Sequence, residues 1–294
     1  MFSRAPGLRR GLLLGSLTWV GLPWVGLSWV ACQSGASCDA PDSQLAISTL
    51  RVCADPNNLP FSNAKGAGFE NQLAELLGSY LGRKVEYTFW PSRRGFIRQT
   101  LKRGLCDVVM GVPVGFELTE NTAPYYHSSY VFVTRDDGSP APVSFDDPRL
   151  LSWRIGLHTI GDDYQNVPPA EALAGRGLIS NIRGYPITGD YSQPDPPRRL
   201  LDALSDGEVD VAVVWGPLAG FFAPLAGAKL RLSAIESRPD ARANPELDHA
   251  LPMTFGIAVG VRRGEHALRA ELDHALAAER DRIRQLLDSY GVPR

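Results

Sequence analysis

The side chains that most often carry out catalysis are thinly spread in this chain. Its five histidines are His127, His158, His249, His266 and His274, and none stands in an HExxH pair or at another close metal-ligand spacing. His266 and His274 share a C-terminal helical stretch but are spaced wrongly to meet as ligands on adjacent turns. The doublets Asp136-Asp137, Asp146-Asp147 and Asp162-Asp163 lack the twelve-residue calcium-loop pattern and read as solvated loops. Ser128-Ser129 lies in no GxSxG elbow, and there is no phosphate loop or dinucleotide fingerprint. The expectation is a protein that is not an enzyme, with no catalytic residue, no metal site and no cofactor.

What remains is the chemistry of recognition. Asp55, Asn57, Asn58 and Phe61 follow a short apolar strand, where they form either a binding rim or a polar turn. Trp90, Arg93 and Arg94 follow a second strand. Arginine and tryptophan are favoured interface anchors, and positive charge at a helix start gains nothing from the helix dipole. Tyr125 and Tyr126 stand where the chain should cross between lobes, with packing as the alternative role. Trp215 ends a strand and faces either cleft or core.

The elements that must position these residues come in a repeated order. Residues 104–113 read GLCDVVMGVP and residues 207–217 read GEVDVAVVWGP. Upstream, LRVC at 50–53 resembles WRIG at 153–156, and Arg51 precedes Asp107 by the same interval as Arg154 precedes Asp210. In the first copy, 49–54 reads as a strand, 69–81 as an amphipathic helix, 84–90 as an alternating strand, 96–103 as a helix and 107–112 as a buried parallel strand. The second copy runs through a strand at 153–158, a helix near 168–175, a strand near 179–185, a helix at 197–206 and a strand at 210–215. Strand, helix, strand, helix, strand implies a mostly parallel sheet with right-handed crossovers. Two such units imply an α/β protein of two lobes, each a sheet flanked by helices.

Ligands of open sheets sit beyond the carboxyl ends of the strands. The repeat is therefore expected to set Gly111 and Gly216 on opposite walls of one cleft. Residues 125–133 should carry the chain from lobe to lobe, a strand at 253–262 should finish the second lobe, and one long helix over 265–290 should return to the first. The lobes are then residues 45–126 with 263–294, and residues 127–262.

In a unit with strand order 2-1-3, strands one and three are neighbours. Cys53 is late in the first and Cys106 just before the third. Neighbouring strands lie ~4.8 Å apart, close to what a disulfide needs, so a Cys53–Cys106 bridge is predicted, with two buried free thiols as the alternative. Arg4, Arg9 and Arg10 precede an apolar stretch broken by glycines and Pro23, and Ser34-Gly35-Ala36 offers small residues for cleavage. This is the layout of an export leader over residues 1–36, with a membrane span or lipidation at Cys32 as the alternatives and Cys38 left in a tail. Membrane attachment is expected through the leader or such a lipid alone. A net charge of −2 with no basic stripe argues against a nucleic-acid partner.

Several phrases carry a family likeness. PNNLPFSN at 56–63, GFE at 68–70, GLCDVVMGVP and TAPYYHSSYVFVTR at 122–135 resemble type II periplasmic solute-binding proteins. FWPSRRGFIRQTL at 89–101, GDYSQPDPPRRLLDAL at 189–204 and VDVAVVWGPLAGFFA at 209–223 resemble one branch of them: the binding-protein-like accessory encoded beside quinoprotein methanol dehydrogenases. The likeness spans residues 48–290. It implies a two-lobe type II fold and a periplasmic protein that assists or activates a pyrroloquinoline-quinone alcohol dehydrogenase, whose surface enters the interlobe cleft. An importer receptor for a small molecule is the alternative. Amino-acid-binding relatives carry an arginine shortly after a threonine before the Pro-Tyr-Tyr; here Leu118-Thr119-Glu120-Asn121 has none, which argues against an amino-acid ligand.

Overall fold

The computed structural model describes residues 49–159, 167–187, 191–236 and 252–293. The expected leader, Cys32, Cys38, Asp162-Asp163 and His249 lie outside these residues. The first unit opens with β1 (Thr49–Ala54) and a short hairpin of β2 (Asn57–Asn58) and β3 (Ser62–Asn63). Helix α1 (Phe69–Tyr80) follows, then β4 (Lys84–Phe89), α2 (Phe96–Gln99) and β5 (Val108–Pro113). The Asn71 side chain accepts from the Gly68 and Asn63 amides at the start of α1, satisfying donors the helix leaves open. Phe69, Leu73, Ala74 and Leu77 then present one buried stripe to the sheet.

The chain continues through β6 (Glu120–Asn121) and the long strand β7 (Tyr126–Arg135) into the second unit. This comprises β8 (Ile155–Thr159), α3 (Pro168–Ala174), β9 (Ile182–Pro186), α4 (Arg199–Ser205), β10 (Val211–Trp215) and α5 (Gly216–Phe222). The chain then runs through β11 (Leu230–Ala234), β12 (Thr254–Val261), α6 (His266–Ala278) and α7 (Arg280–Ser289). β1 pairs in parallel with β4 and β5, and β8 pairs in parallel with β9 and β10. Both units therefore have the 2-1-3 order the repeat requires.

The equal spacing in the two copies has a mechanical cause. Arg51 grips Asp107 through Nε and Nη2 at 2.9 and 2.5 Å, and Arg154 grips Asp210 at 3.0 and 2.7 Å. Each pair ties the start of strand one to the start of strand three by a two-pronged, charge-assisted bond. The Cys53–Cys106 disulfide lies beside the first of these pairs. With Ile97, Leu101, Val109 and Val112 it forms a small core under α2. The opposite face of that sheet packs on α1, α6 and α7 through Leu73, Leu77, Val259, Leu272, Ile283 and Leu287.

Several sequence expectations need correction. The strand expected to finish the second lobe, β12, instead pairs antiparallel with β5, β6 and the first half of β7. It thus closes the first unit's sheet. The reason lies in what strand three lacks in each unit: an antiparallel neighbour. The second half of β7 already supplies that neighbour to β10, so β5 takes β12. β7 runs through both units, and the strands form one hydrogen-bonded path, β4-β1-β5-β12-β7-β10-β8-β9. The long C-terminal helix breaks at Glu279, which leaves helical geometry and divides α6 from α7. The expected helix 96–103 stops at Thr100, whose Oγ1 donates back to the Phe96 carbonyl at 2.6 Å. A 3-10 turn over Leu101–Arg103 then leads to Cys106. The strand expected near 179 starts at Ile182, because the Asn181 amide donates to the Leu150 and Leu151 carbonyls and holds a turn.

Candidate functional site

Where the loop after β1 meets the segment before α4, described residues of the two units touch each other. Asp55 is the hub. It is 1% exposed. Its Oδ1 accepts from the Asn57 amide at 2.8 Å, and its Oδ2 accepts from the Ser92 amide at 2.6 Å and the Tyr191 hydroxyl at 2.9 Å. Tyr191 belongs to the second unit, so one carboxylate ties β1, the turn after β4 and the opposing lobe together. Asn57 adds a second bridge, its Nδ2 donating to the Gln193 carbonyl at 2.9 Å. Between them, Leu59 and Phe61 pack on the second unit's core of Leu200, Leu204, Leu218 and Phe222. Asn58 turns inward and its Oδ1 finds no hydrogen bond.

Behind this seam lies a set of polar groups with little access to water. Gly111 has φ +70°, and a Cβ there would collide with the Glu70 carboxyl oxygen; glycine is required for both reasons. Burial, with the Asp55 charge nearby, pushes the Glu70 carboxyl up to about 8. The Tyr125 hydroxyl lies beside the Gly111 peptide, buried and without a hydrogen bond of good geometry. Burial, and secondly the Glu70 charge, raise both Tyr125 and Tyr126 well above the usual phenol range. Trp215 bridges the two cores, with Tyr130 and Phe255 edge-on at 5.2 and 5.9 Å.

The predicted residues therefore divide. Asp55, Asn57, Asn58, Phe61, Tyr125, Tyr126 and Trp215 gather at the seam between units. Gly111 lies against Glu70, whereas Gly216, the first residue of α5, lies against Ser128, Ser129 and Pro293. A Cβ at either glycine would meet these neighbours rather than open space. Trp90, Arg93 and Arg94 follow β4 with exposed side chains, and Arg93 lies near enough to the seam for its charge to act on the Tyr191 hydroxyl. Sequence reasoning missed Glu70 and Tyr191 as individual residues, although the GFE and GDYSQPDPPRR phrases contain them. The C-terminal tail was also missed. Ser128 donates to the Pro293 carbonyl at 2.6 Å, and Phe221 stacks on Tyr290, so the last residues close the back of the seam.

Chemically the contacts at the seam hold the two units together. His158 is buried, its Nε2 donating to the Pro197 carbonyl at 2.9 Å, and burial lowers it to about 4, which keeps it neutral. Among the described residues no group of histidine, cysteine, aspartate and glutamate side chains could hold a metal ion. Asn121, in the segment where the resemblance to amino-acid binders leads one to expect an arginine, donates to the Pro113 carbonyl and accepts from Thr119. Among the described residues no helix is long and apolar enough to cross a membrane.

Comparison with known proteins follows the same line. No protein-family model matches the chain. It is 31% identical over 250 residues to Protein MoxJ of Methylorubrum extorquens, covering 83% of this chain and 81% of that protein. It superposes on the crystal structure of the periplasmic binding protein XoxJ from Methylobacterium extorquens AM1 with a TM-score of 0.66 at 30% identity, over 83% of this chain and 98% of that one. It also matches MxaJ from Methlophaga aminisulfidivorans with a TM-score of 0.71 at 24% identity, over 83% and 99% of the two chains. The fold is that of a type II periplasmic binding protein, and the chain belongs to the MoxJ/MxaJ/XoxJ family.

Proposed function

We propose that this protein is a non-catalytic periplasmic accessory of a quinoprotein methanol or alcohol dehydrogenase, docking on it at the mouth of the interlobe cleft. Family membership supports the assignment to this system. The observation that carries the accessory reading over a solute receptor is the seam itself. A receptor for an amino acid needs a cationic clamp for the ligand's carboxylate. Here Asp55, Tyr191, Asn57 and Phe61 close the units on each other, and Asn121 is spent on the backbone of Pro113.

The test is affinity purification of the tagged protein from periplasm, paired with deletion of its gene. The dehydrogenase is expected to co-purify, and its activity to fall in the deletion strain. Absence of association between purified partners, together with full activity after deletion, would refute the proposal. A thermal-shift screen with amino acids and pyrroloquinoline quinone addresses the receptor alternative, since a ligand bound by the native state alone raises the apparent melting temperature. A clear shift with a free solute would favour that alternative.

A further inference from the structure

The two crossovers that link strand two to strand three occupy equivalent places in the two units but differ in charge. In the second unit, Arg198 and Arg199 are followed by Asp202, Asp206 and Glu208, and Arg198 pairs with Asp202 at 3.1 Å. The charges there are compensated within the element. In the first unit no acidic residue occurs between Glu86 and Asp107, while Arg93, Arg94, Arg98, Lys102 and Arg103 all do. All five side chains are exposed; Arg94 is already engaged within the chain, and the other four carry the surface. They form a local positive surface on a chain whose net charge is −2.

Apolar groups border that surface. Trp90 is 38% and Leu105 43% exposed, and both flank the basic run. The Trp90 amide donates to the Ala54 carbonyl, and Thr88 donates to the Leu105 carbonyl, so both are held on the sheet. Beneath lies the disulfide core of Cys53, Ile97, Leu101 and Cys106. The patch also starts at the seam, since the Ser92 amide next to Arg93 donates to Asp55. Charge of one sign, a rigid base and exposed tryptophan and leucine are the features of a protein-docking surface. Four of the five cations are arginines, whose planar forks suit carboxylates.

We propose that residues 90–106 of the first unit form a docking surface for a carboxylate-rich protein surface; resting on the function proposed above, that surface belongs to the dehydrogenase. The arginines steer the encounter and pair with carboxylates at the rim, and Trp90 and Leu105 supply the desolvated centre. The second unit's crossover takes no part.

The experiment measures association of the full-length exported protein with purified holo-dehydrogenase at low and high salt. The variants are Arg93→Glu/Arg98→Glu/Lys102→Glu and, as control, Asp202→Arg/Asp206→Arg, each checked for an unchanged melting temperature. Expected are a fall in association rate of about tenfold or more for the first variant, a similar fall for the native protein at high salt, and little change for the control. Trp90→Ala should raise the dissociation rate instead. Equal binding by native protein and the first variant would overturn the docking surface while leaving the accessory function intact. Failure of the native protein to bind even at low salt would overturn the docking surface and, together with full dehydrogenase activity in the deletion strain, the function proposed above. Charge-dependent binding to phosphatidylglycerol vesicles, with dehydrogenase binding unaffected by the same variant, would overturn the proposal in favour of a membrane surface.

Discussion

The two units place the same parts in the same order and close them by different means. Each has an arginine–aspartate pair between the starts of strands one and three. Each also receives an arginine from the end of its antiparallel neighbour. Arg262 after β12 donates to the Cys106 carbonyl, and Arg135 at the end of β7 donates to the Val209 carbonyl at 3.0 Å. Between these struts the units diverge. The first has the Cys53–Cys106 bond. At the equivalent place the second has Gly156 under Val209, where a Cβ would collide with Leu200 Cδ1 and crowd Val209 Cγ2 at 3.3 Å. One unit is stapled covalently, the other by close packing. The stapled unit carries the exposed basic crossover, and the packed unit carries the self-compensated one. A surface that must present charges of one sign suffers self-repulsion, and a covalent tie beneath it offsets that cost.

The largest expected effect comes from cutting the staple. Cys53 and Cys106 enclose a separation of 53 residues, and a loop of that size is worth about 4 kcal/mol by the chain-entropy argument. The Cys53→Ala/Cys106→Ala variant should unfold at markedly lower denaturant concentration, with the loss largest in the first unit by hydrogen exchange. An unchanged midpoint would show that the two closures are equivalent.

Glu70 of the first unit provides the next test. Its folded pKa of about 8 exceeds the ordinary 4.5, so the folded state keeps a proton that the unfolded chain releases. The contribution is complete below about pH 4.5 and is lost as pH rises toward about 8. Glu70→Gln should remove roughly 1–3 kcal/mol of that loss, flattening the stability profile between these pH values. A profile that keeps its slope would place the titrating group elsewhere. The smallest effect is expected for Tyr191→Phe, which deletes one hydrogen bond to Asp55 across the seam. It should cost about 1 kcal/mol and speed amide exchange in β2 and β3, leaving β8–β10 unchanged.

Much of this was legible in the residues. Strand order, the disulfide and the repeated arginine–aspartate interval follow from local periodicity and from the narrow rules that govern parallel crossovers. The position of β12 was not legible, because an antiparallel strand can close either unit and its partner is remote in sequence. The seam was half legible: Asp55 and Phe61 stood out after β1, but their partners arrive from far along the chain. Tyr191 lies 136 residues from Asp55, and Pro293 lies 165 from Ser128. Single long-range polar contacts leave no periodic trace. The break at Glu279 was hidden because the apolar spacing through Leu276 and Ile283 suits one helix as well as two.

Hydrogen exchange across the whole chain, alone and with the purified dehydrogenase, bears most directly on the claim that one of two like units is specialised for a partner. The account predicts protection concentrated in residues 90–106, with residues 196–208 exchanging as they do in the free protein. Protection confined to the second unit, or no protection anywhere, would contradict it.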